Sequence, residues 1–456
     1  MITIGIIGTG YVGLVHGAVL AHYGFQVTCM DVDDYKITRL REGESPIYEP
    51  GLDKLLKEGL QSGALSFTTS AEQVVHNSDV IFIAVGTPSK MDGSADLRYV
   101  REAALSIAQY ADRDKLVVLK STLPVGTCGT FQRYFDSAVA GSGAAYRIEV
   151  ASNPEFLRQG QAVSDALSPS RVIIGTESEH AERLLQSVYS VHADAGIPFL
   201  CTNLESAEMI KYAANSFLAV KISFINEMAL LAEKVGANIS HIAQGMGMDE
   251  RISPHFLQAG PGYGGSCFPK DTQALVDVGR RSGEELYVVQ AAIAANKKQK
   301  QTMLDRISET LSYGGSLKGR TIAVWGLAFK PDTDDIRETP SYDVIQGLSG
   351  KGAAIRVYCP QGMKQAVRLW PDLNPSIEYC ISEEESAIQA DAIVIMTEWE
   401  QFRRVDWNAI AGSMRSSFLF DCRNMFGQDK AVRGRFHYYG VGDGSDRRHY
   451  TLREAQ

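Results

Sequence analysis

None of the seven cysteines in this 456-residue chain belongs to a CxxC pair. They stand at 29, 128, 201, 267, 359, 380 and 422, scattered and odd in number, which excludes a disulfide framework and a zinc ribbon. The nine histidines show no HExxH or similar ligand spacing, so no metal is expected. No run approaches the roughly 20 apolar residues that span a bilayer. No block of lysine and arginine offers a platform for nucleic acid, and a net charge of −9 supplies no field to recruit it. The opening ITIGIIG lacks the basic start and long apolar run of a signal peptide. The expectation is a cytoplasmic protein with reduced thiols and neither a membrane nor a nucleic-acid partner.

What is present is ordinary globular composition, 45% hydrophobic and 22% charged, in a length that suits two or three domains. ITIGIIG (2–8), FQVTCMDV (25–32), DVIFIAVG (79–86), KLVVLKS (115–121), RIEVAS (147–152) and RVIIGT (171–176) are short, β-rich and almost continuously apolar. Such runs are buried on both faces, which predicts a parallel sheet with helices on each side. The pattern returns in TIAVWGL (321–327), AIRVYC (354–359), AIVIMT (392–397), SFLFDC (417–422) and FHYYGV (436–441). The fold class is therefore α/β, with two Rossmann-like parallel-sheet domains (1–202 and 317–456). A long central helix and a helical middle domain (203–300) join them.

That helix is predicted over 203–238, which holds no proline and only one glycine, placed near its end as a C-terminal cap. Its apolar residues wrap beyond one stripe, so it needs cover on several sides, from its own chain or from a second subunit.

GTGYVG (8–13) follows the first strand and opens a helical pattern. Gly8 permits the tight turn, Gly10 lets pyrophosphate approach, and Gly13 allows close helix–strand packing, with Tyr11 and Val12 on the same turn. Asp31 ends the second strand 18 residues after Gly13, placed to take ribose hydroxyls and to favour NAD over NADP. Lys36 could contact the cofactor's outer edge. Thr87 of GTP (86–88) and Thr122 of KST (120–122) sit at strand ends, as ligand contacts or as local caps. In the second half, Lys330, Arg337 and Arg423 lie at strand ends without a glycine cradle. They read as phosphate holders for another nucleotide or as solvated charges.

Cys267 lies in GPGYGGSCFPKD (260–271), just before a helical pattern with proline in its first turn. A thiol there gains from the positive end of the helix, which favours thiolate. Glycines such as Gly264 leave room for a substrate. Asp271 follows four residues on, and Lys211 and Asn215, also four apart, share a face of the central helix. An oxyanion would satisfy both. With NAD, a thiolate can carry a primary alcohol through aldehyde, thiohemiacetal and thioester to carboxylate, using two NAD.

GTGYVGL (8–14), GTP, STLPVGT (121–127), NPEFLRQG (153–160), KYAANSFLAVKISFINE (211–227), GPGYGGSCFPKD and FKPDTDDIRETPS (329–341) follow one another in a characteristic order. The chain resembles the nucleotide-sugar 6-dehydrogenases, its UDP-glucose branch above the GDP-mannose one, from residue 5 to beyond 420. The resemblance implies oxidation of UDP-glucose to UDP-glucuronate with two NAD, in a homodimer or dimer-based oligomer built on the central helix.

By the same resemblance Cys267 is the nucleophile, Lys211 and Asn215 stabilise the oxyanion, and Asp271 and Thr122 position water. Glu155 is the carboxylate for proton transfer. Phe156, Leu157 and Arg158 line the sugar-nucleotide site with Tyr263, Gly264, Lys330 and Arg423. Arg251 contacts the sugar, in some members from the neighbouring subunit, and Arg337 holds cofactor phosphate. Gln159 stands where the family loop often has a second carboxylate, and Ser266 where the N-acetylhexosamine branch usually has histidine. A non-catalytic scaffold would have lost Cys267, Lys211 or Asp271. A two-electron dehydrogenase would make one NADH.

Overall fold

The computed structural model describes residues 2–312 and 315–444. The outer ends of the segments drawn as 1–202 and 317–456 therefore lie outside the described residues. The first sheet contains β1 (Thr3–Ile7), β2 (Gln26–Met30), β3 (Leu65–Thr68), β4 (Val80–Ile83), β5 (Lys115–Leu119), β6 (Ile148–Ser152), β7 (Val172–Gly175) and β8 (Phe199–Thr202), in the order β3-β2-β1-β4-β5-β6-β7-β8. The second contains β9 (Thr321–Trp325), β10 (Ala354–Tyr358), β11 (Ile377–Tyr379), β12 (Ala392–Ile395), β13 (Phe418–Asp421) and β14 (His437–Tyr439), in the order β11-β10-β9-β12-β13-β14. Chain order reverses beside β1 and again beside β9, and the carboxyl ends of strands at such points form ligand crevices.

Continuous apolarity has the expected consequence. All residues of β4, β5 and β12 are buried. In β4, Val80 and Phe82 join one apolar core while Ile81 and Ile83 join the other, so the sheet is covered on both faces. A third core surrounds the second sheet and includes Trp325, Phe402, Trp407 and Phe420.

The second sheet is parallel throughout, but the first is not. β7 meets β6 antiparallel at Ser152 and Gly175, and β8 follows β7 in parallel, so the outer pair opposes the other six. The link from β6 to β7 contains only the six-residue helix Ala162–Leu167. Apolar runs carry no information on strand direction, so this reversal could not be read from them.

Contacts gather the chain into two compact units. One holds the residues up to Ala214 together with Gln273–Glu284; the other holds Asn215–Thr272 and the residues from Glu285 onward. The central helix runs from Leu204 to Val235 and ends at Gly236, whose φ of 76° is the left-handed cap that glycine allows. Phe217, Phe224 and Leu231, seven residues apart, are 65%, 44% and 51% exposed.

Candidate active site

The glycine loop has the geometry of a dinucleotide cradle. Gly8 takes a φ of 102° and donates its N–H to the Met30 carbonyl at 2.8 Å. A Cβ on Gly13 would lie 1.9 Å from the Gly8 carbonyl oxygen, whereas one on Gly10 would meet nothing within 4 Å. The space beside Gly10 at the head of helix Tyr11–His22 therefore fits a pyrophosphate. Val12 packs partly buried on the core beneath.

Asp31 is held ready by its neighbours. One carboxylate oxygen accepts the Thr9 N–H at 3.0 Å, the Thr9 hydroxyl at 2.8 Å and the Lys36 ammonium at 2.8 Å. Burial pushes this carboxyl up, but Lys36 and Thr9 together outweigh it and hold it below its ordinary value. Lys36 is thus held on Asp31, five residues back, at the end of the second strand where a cofactor's ribose would lie. Thr9 carried no signal beyond its place in the glycine loop.

The strand-end threonines tie β4 to β5. Thr87 is buried and donates its hydroxyl to the Thr122 carbonyl at 3.0 Å, while Ser121 donates to the Val85 carbonyl at 2.7 Å. These bonds set the path of the loop carrying Thr122. Behind it, Glu208 of the central helix accepts the N–H groups of Gly126 and Cys128 at 2.6 and 2.7 Å. Burial raises the Glu208 carboxyl above its ordinary value despite those two donors.

In the first unit Glu155 and Lys211 form a buried ion pair at 3.0 Å, with side chains 8% and 4% exposed. The second oxygen of Glu155 accepts the Leu157 N–H at 2.6 Å. Phe156 lies under two cations, Arg171 at 3.8 Å and Lys211 at 5.3 Å from its ring centre. Arg158 forks onto Asp165, and Leu157 packs on the first-unit core. Glu49, which the motif reading passed over, accepts the N–H groups of Gly160 and Ala162, each at 2.7 Å, and so pins this loop. Its only trace in the sequence is a lone carboxylate in IYEPGL.

In the second unit Cys267 immediately precedes helix Phe268–Arg281, where Asp271 occupies the first turn and donates its N–H to the Cys267 carbonyl at 2.8 Å. Asp271 is fully buried; it accepts the Asn215 side-chain amide at 2.6 Å and pairs with Lys270. The glycines before the thiol serve a purpose besides room for substrate. A Cβ on Gly264 would sit 2.4 Å from the Glu338 carbonyl oxygen, and one on Gly265 would sit 2.9 Å from the Phe329 ring. The thiol loop lies tight against the 329–338 segment, and glycine permits that approach.

Three side-chain amides fasten this loop. Asn226 accepts the Gly260 N–H at 2.8 Å, Gln299 donates to the Gly260 carbonyl at 2.7 Å, and Asn296 accepts the Tyr263 N–H at 2.7 Å. Tyr263 is buried, and burial raises its hydroxyl pKa against the opposing effect of Thr272. Asn226 follows Asn215 by three helical turns, a same-face repeat that could have flagged it.

Arg423 is no solvated charge. It donates to the carbonyls of Met396 and Phe329, each at 2.8 Å, and pairs with Glu398, which places it beside Lys330 on one rim. Lys330 lies 5.8 Å from the Phe329 ring centre. Arg337 forks onto Asp335 and remains half-exposed. Arg251, 89% exposed at its side chain, is paired with Asp249 two residues away.

Comparisons with known proteins agree on one lineage. Residues 2–193 match the NAD-binding domain of the UDP-glucose/GDP-mannose dehydrogenase family, residues 205–298 its central domain, and residues 323–428 its UDP-binding domain. A UDP-glucose 6-dehydrogenase of Rickettsia typhi is 42% identical over 436 residues, 96% of this chain and 98% of that one. Another from Bacillus subtilis is 43% identical over 437 residues, 96% and 97% of the two chains. The solved structure of a UDP-glucose dehydrogenase from Pyrobaculum islandicum superposes with a TM-score of 0.88 at 39% identity, covering 97% of this chain and 98% of that one. On fold, glycine loop and thiol loop together with these matches, the chain belongs to the UDP-glucose/GDP-mannose dehydrogenase family.

Proposed function

We propose that the chain oxidises UDP-glucose to UDP-glucuronate in two successive NAD-dependent steps, with Cys267 as the covalent carrier between them. NAD, when bound, accepts one hydride in each step. In the first, the C6 hydroxyl gives up a proton and its carbon a hydride, leaving an aldehyde. The Cys267 thiolate adds to that carbon, and the oxyanion takes a proton to form a thiohemiacetal. Loss of the second hydride and of that proton leaves a thioester. Water then adds, the C–S bond breaks and the carboxylate departs. One alcohol, two NAD and one water give one carboxylate, two NADH and three protons.

Lys211 and Asn215 stabilise the oxyanions, Glu155 moves the protons, and Asp271 and Thr122 position the water. The observation that carries this reading is a pair of buried contacts on one helix: Lys211 with Glu155 and, one turn later, Asn215 with Asp271. The three matched segments divide the work into cofactor binding, assembly and sugar-nucleotide binding, where Lys330 and Arg423 serve the phosphates.

The chain acts as a cytoplasmic homodimer through the stripe of Phe217, Phe224 and Leu231, whose seven-residue spacing suits a helix–helix seam with a second copy. Arg251 contacts the sugar, bound to its own chain or to the partner subunit.

The test is NADH formed per sugar nucleotide consumed, with UDP-glucose and GDP-mannose in parallel, for wild type and Cys267→Ser. Two NADH from UDP-glucose, with the second step stalled in the variant, is the expected result. One NADH unaffected by the substitution removes the thioester route, and turnover of GDP-mannose alone reassigns the substrate.

A further inference from the structure

Lys120 takes part in none of these steps, yet it is buried at the end of β5, two residues before Thr122. Burying an ammonium is expensive unless polar groups compensate it. Here they are the Asn153 side-chain oxygen at 2.8 Å and the Tyr189 hydroxyl at 3.4 Å. Tyr189 itself donates to the same Asn153 oxygen, and its hydroxyl lies 3.4 Å from His16 Nε2. The Asn153 amide donates to the Ile173 carbonyl at 2.8 Å, and its N–H to the Leu119 carbonyl at 3.0 Å. Asn153 is thus held from β5 and its end, from β7, and from the turn at Tyr189 between two helices.

Asn153 begins the sequence Asn153–Pro154–Glu155, in which proline fixes the backbone. Two residues after the grip comes the carboxylate that meets Lys211 at 3.0 Å. We propose that Lys120 is a positioning residue of the reaction: by gripping Asn153 it sets, through this stiff turn, where the Glu155 carboxylate meets Lys211. The inference rests on the role given to Glu155 above. Burial lowers the Lys120 ammonium to about 8, with Lys211 pushing the same way and Glu155 opposing, so its charge is felt at both members of the pair. His16, facing the same cluster, is driven well below its ordinary value by burial and by Lys120, so it adds no competing cation at neutral pH.

A lysine that merely filled space would affect stability but not the step that Glu155 performs. A double-variant cycle in the full chain separates the two roles: Lys120→Met, Glu155→Gln and both together, each assayed for kcat and KM with UDP-glucose and NAD and for its urea midpoint. Displacing a reacting group lowers kcat by up to about 100-fold. Lys120→Met is expected to lose roughly 10- to 100-fold in kcat with KM for NAD within about twofold of wild type, and the double variant to be no slower than Glu155→Gln. Losses that multiply in the double variant, or an unchanged kcat in Lys120→Met, overturn the proposal. If Lys120→Met fails to fold, Tyr189→Phe, which keeps the ring and removes one bond to Asn153, carries the same cycle with the same criteria. Full kcat in Glu155→Gln alone would overturn the role of Glu155 and this inference with it, a result visible in the single variant.

Discussion

Asn215 donates its side-chain amide to a carboxylate oxygen of Asp271 at 2.6 Å, and both residues are buried. Without the amide, a buried carboxylate loses one of its donors, Lys270 remaining as its cation. Asn215→Ala should therefore lose about 1–3 kcal/mol of stability, read as a lower urea midpoint at an unchanged slope, and turnover should fall with it. Asp271→Asn keeps the shape and removes the charge; it should fold and lose turnover.

Gly10 and Gly13 make a controlled contrast, since one faces open space and the other a carbonyl oxygen 1.9 Å from its missing Cβ. Gly13→Ala should destabilise the protein by about 1–3 kcal/mol, the usual penalty of overpacking. Gly10→Ala should melt like the wild type and lose affinity for NAD. Paired thermal melts and NAD titrations check both, and equal melting with equal NAD affinity would contradict the cradle.

Asp31 couples folding stability to pH. Its folded-state pKa lies below the ordinary value of about 3.9, on balance because Lys36 and Thr9 outweigh burial. The stabilisation is therefore fully present above that ordinary value and is lost as pH falls through the lowered one. The stability gap between wild type and Asp31→Asn should be widest at neutral pH and close below about pH 4. Asp31→Ala should raise KM for NAD roughly 10- to 100-fold, the equivalent of a charge-assisted hydrogen bond, with kcat little changed.

Gly264→Ala tests why the thiol loop is glycine-rich. The added carbon would meet the Glu338 carbonyl at 2.4 Å, and backbone there cannot swing aside as a side chain could. The variant should be less stable and should lose reactivity at Cys267 toward iodoacetamide or gain it, the loop having moved. An unchanged melt and alkylation rate would show the glycine to be dispensable.

Central strands were legible because burial on both faces demands continuous apolarity. The three strands that escaped reading, β3, β8 and β11, are all sheet edges. In β8 no residue is fully buried, and in β11 only Ile377 is. An edge strand needs less apolar surface, so LSFT, FLCT and IEY resemble loops. The reversal of β7 was equally hidden, since a side-chain pattern reads the same in either direction.

The sequence by itself determined what depends on neighbours along the chain: the left-handed turn at Gly8, the cap at Gly236, the thiol heading its helix, and Lys211 one turn from Asn215. These follow from backbone sterics and helical periodicity. Tertiary structure alone decided which carboxylate serves which partner. Glu155 meets Lys211 and Asp271 meets Asn215, each across 56 residues, while Glu49 reaches Gly160 across 111. No local spacing encodes such pairings, because they depend on how elements pack and on the need of each buried charge for a donor, which only the folded chain can satisfy.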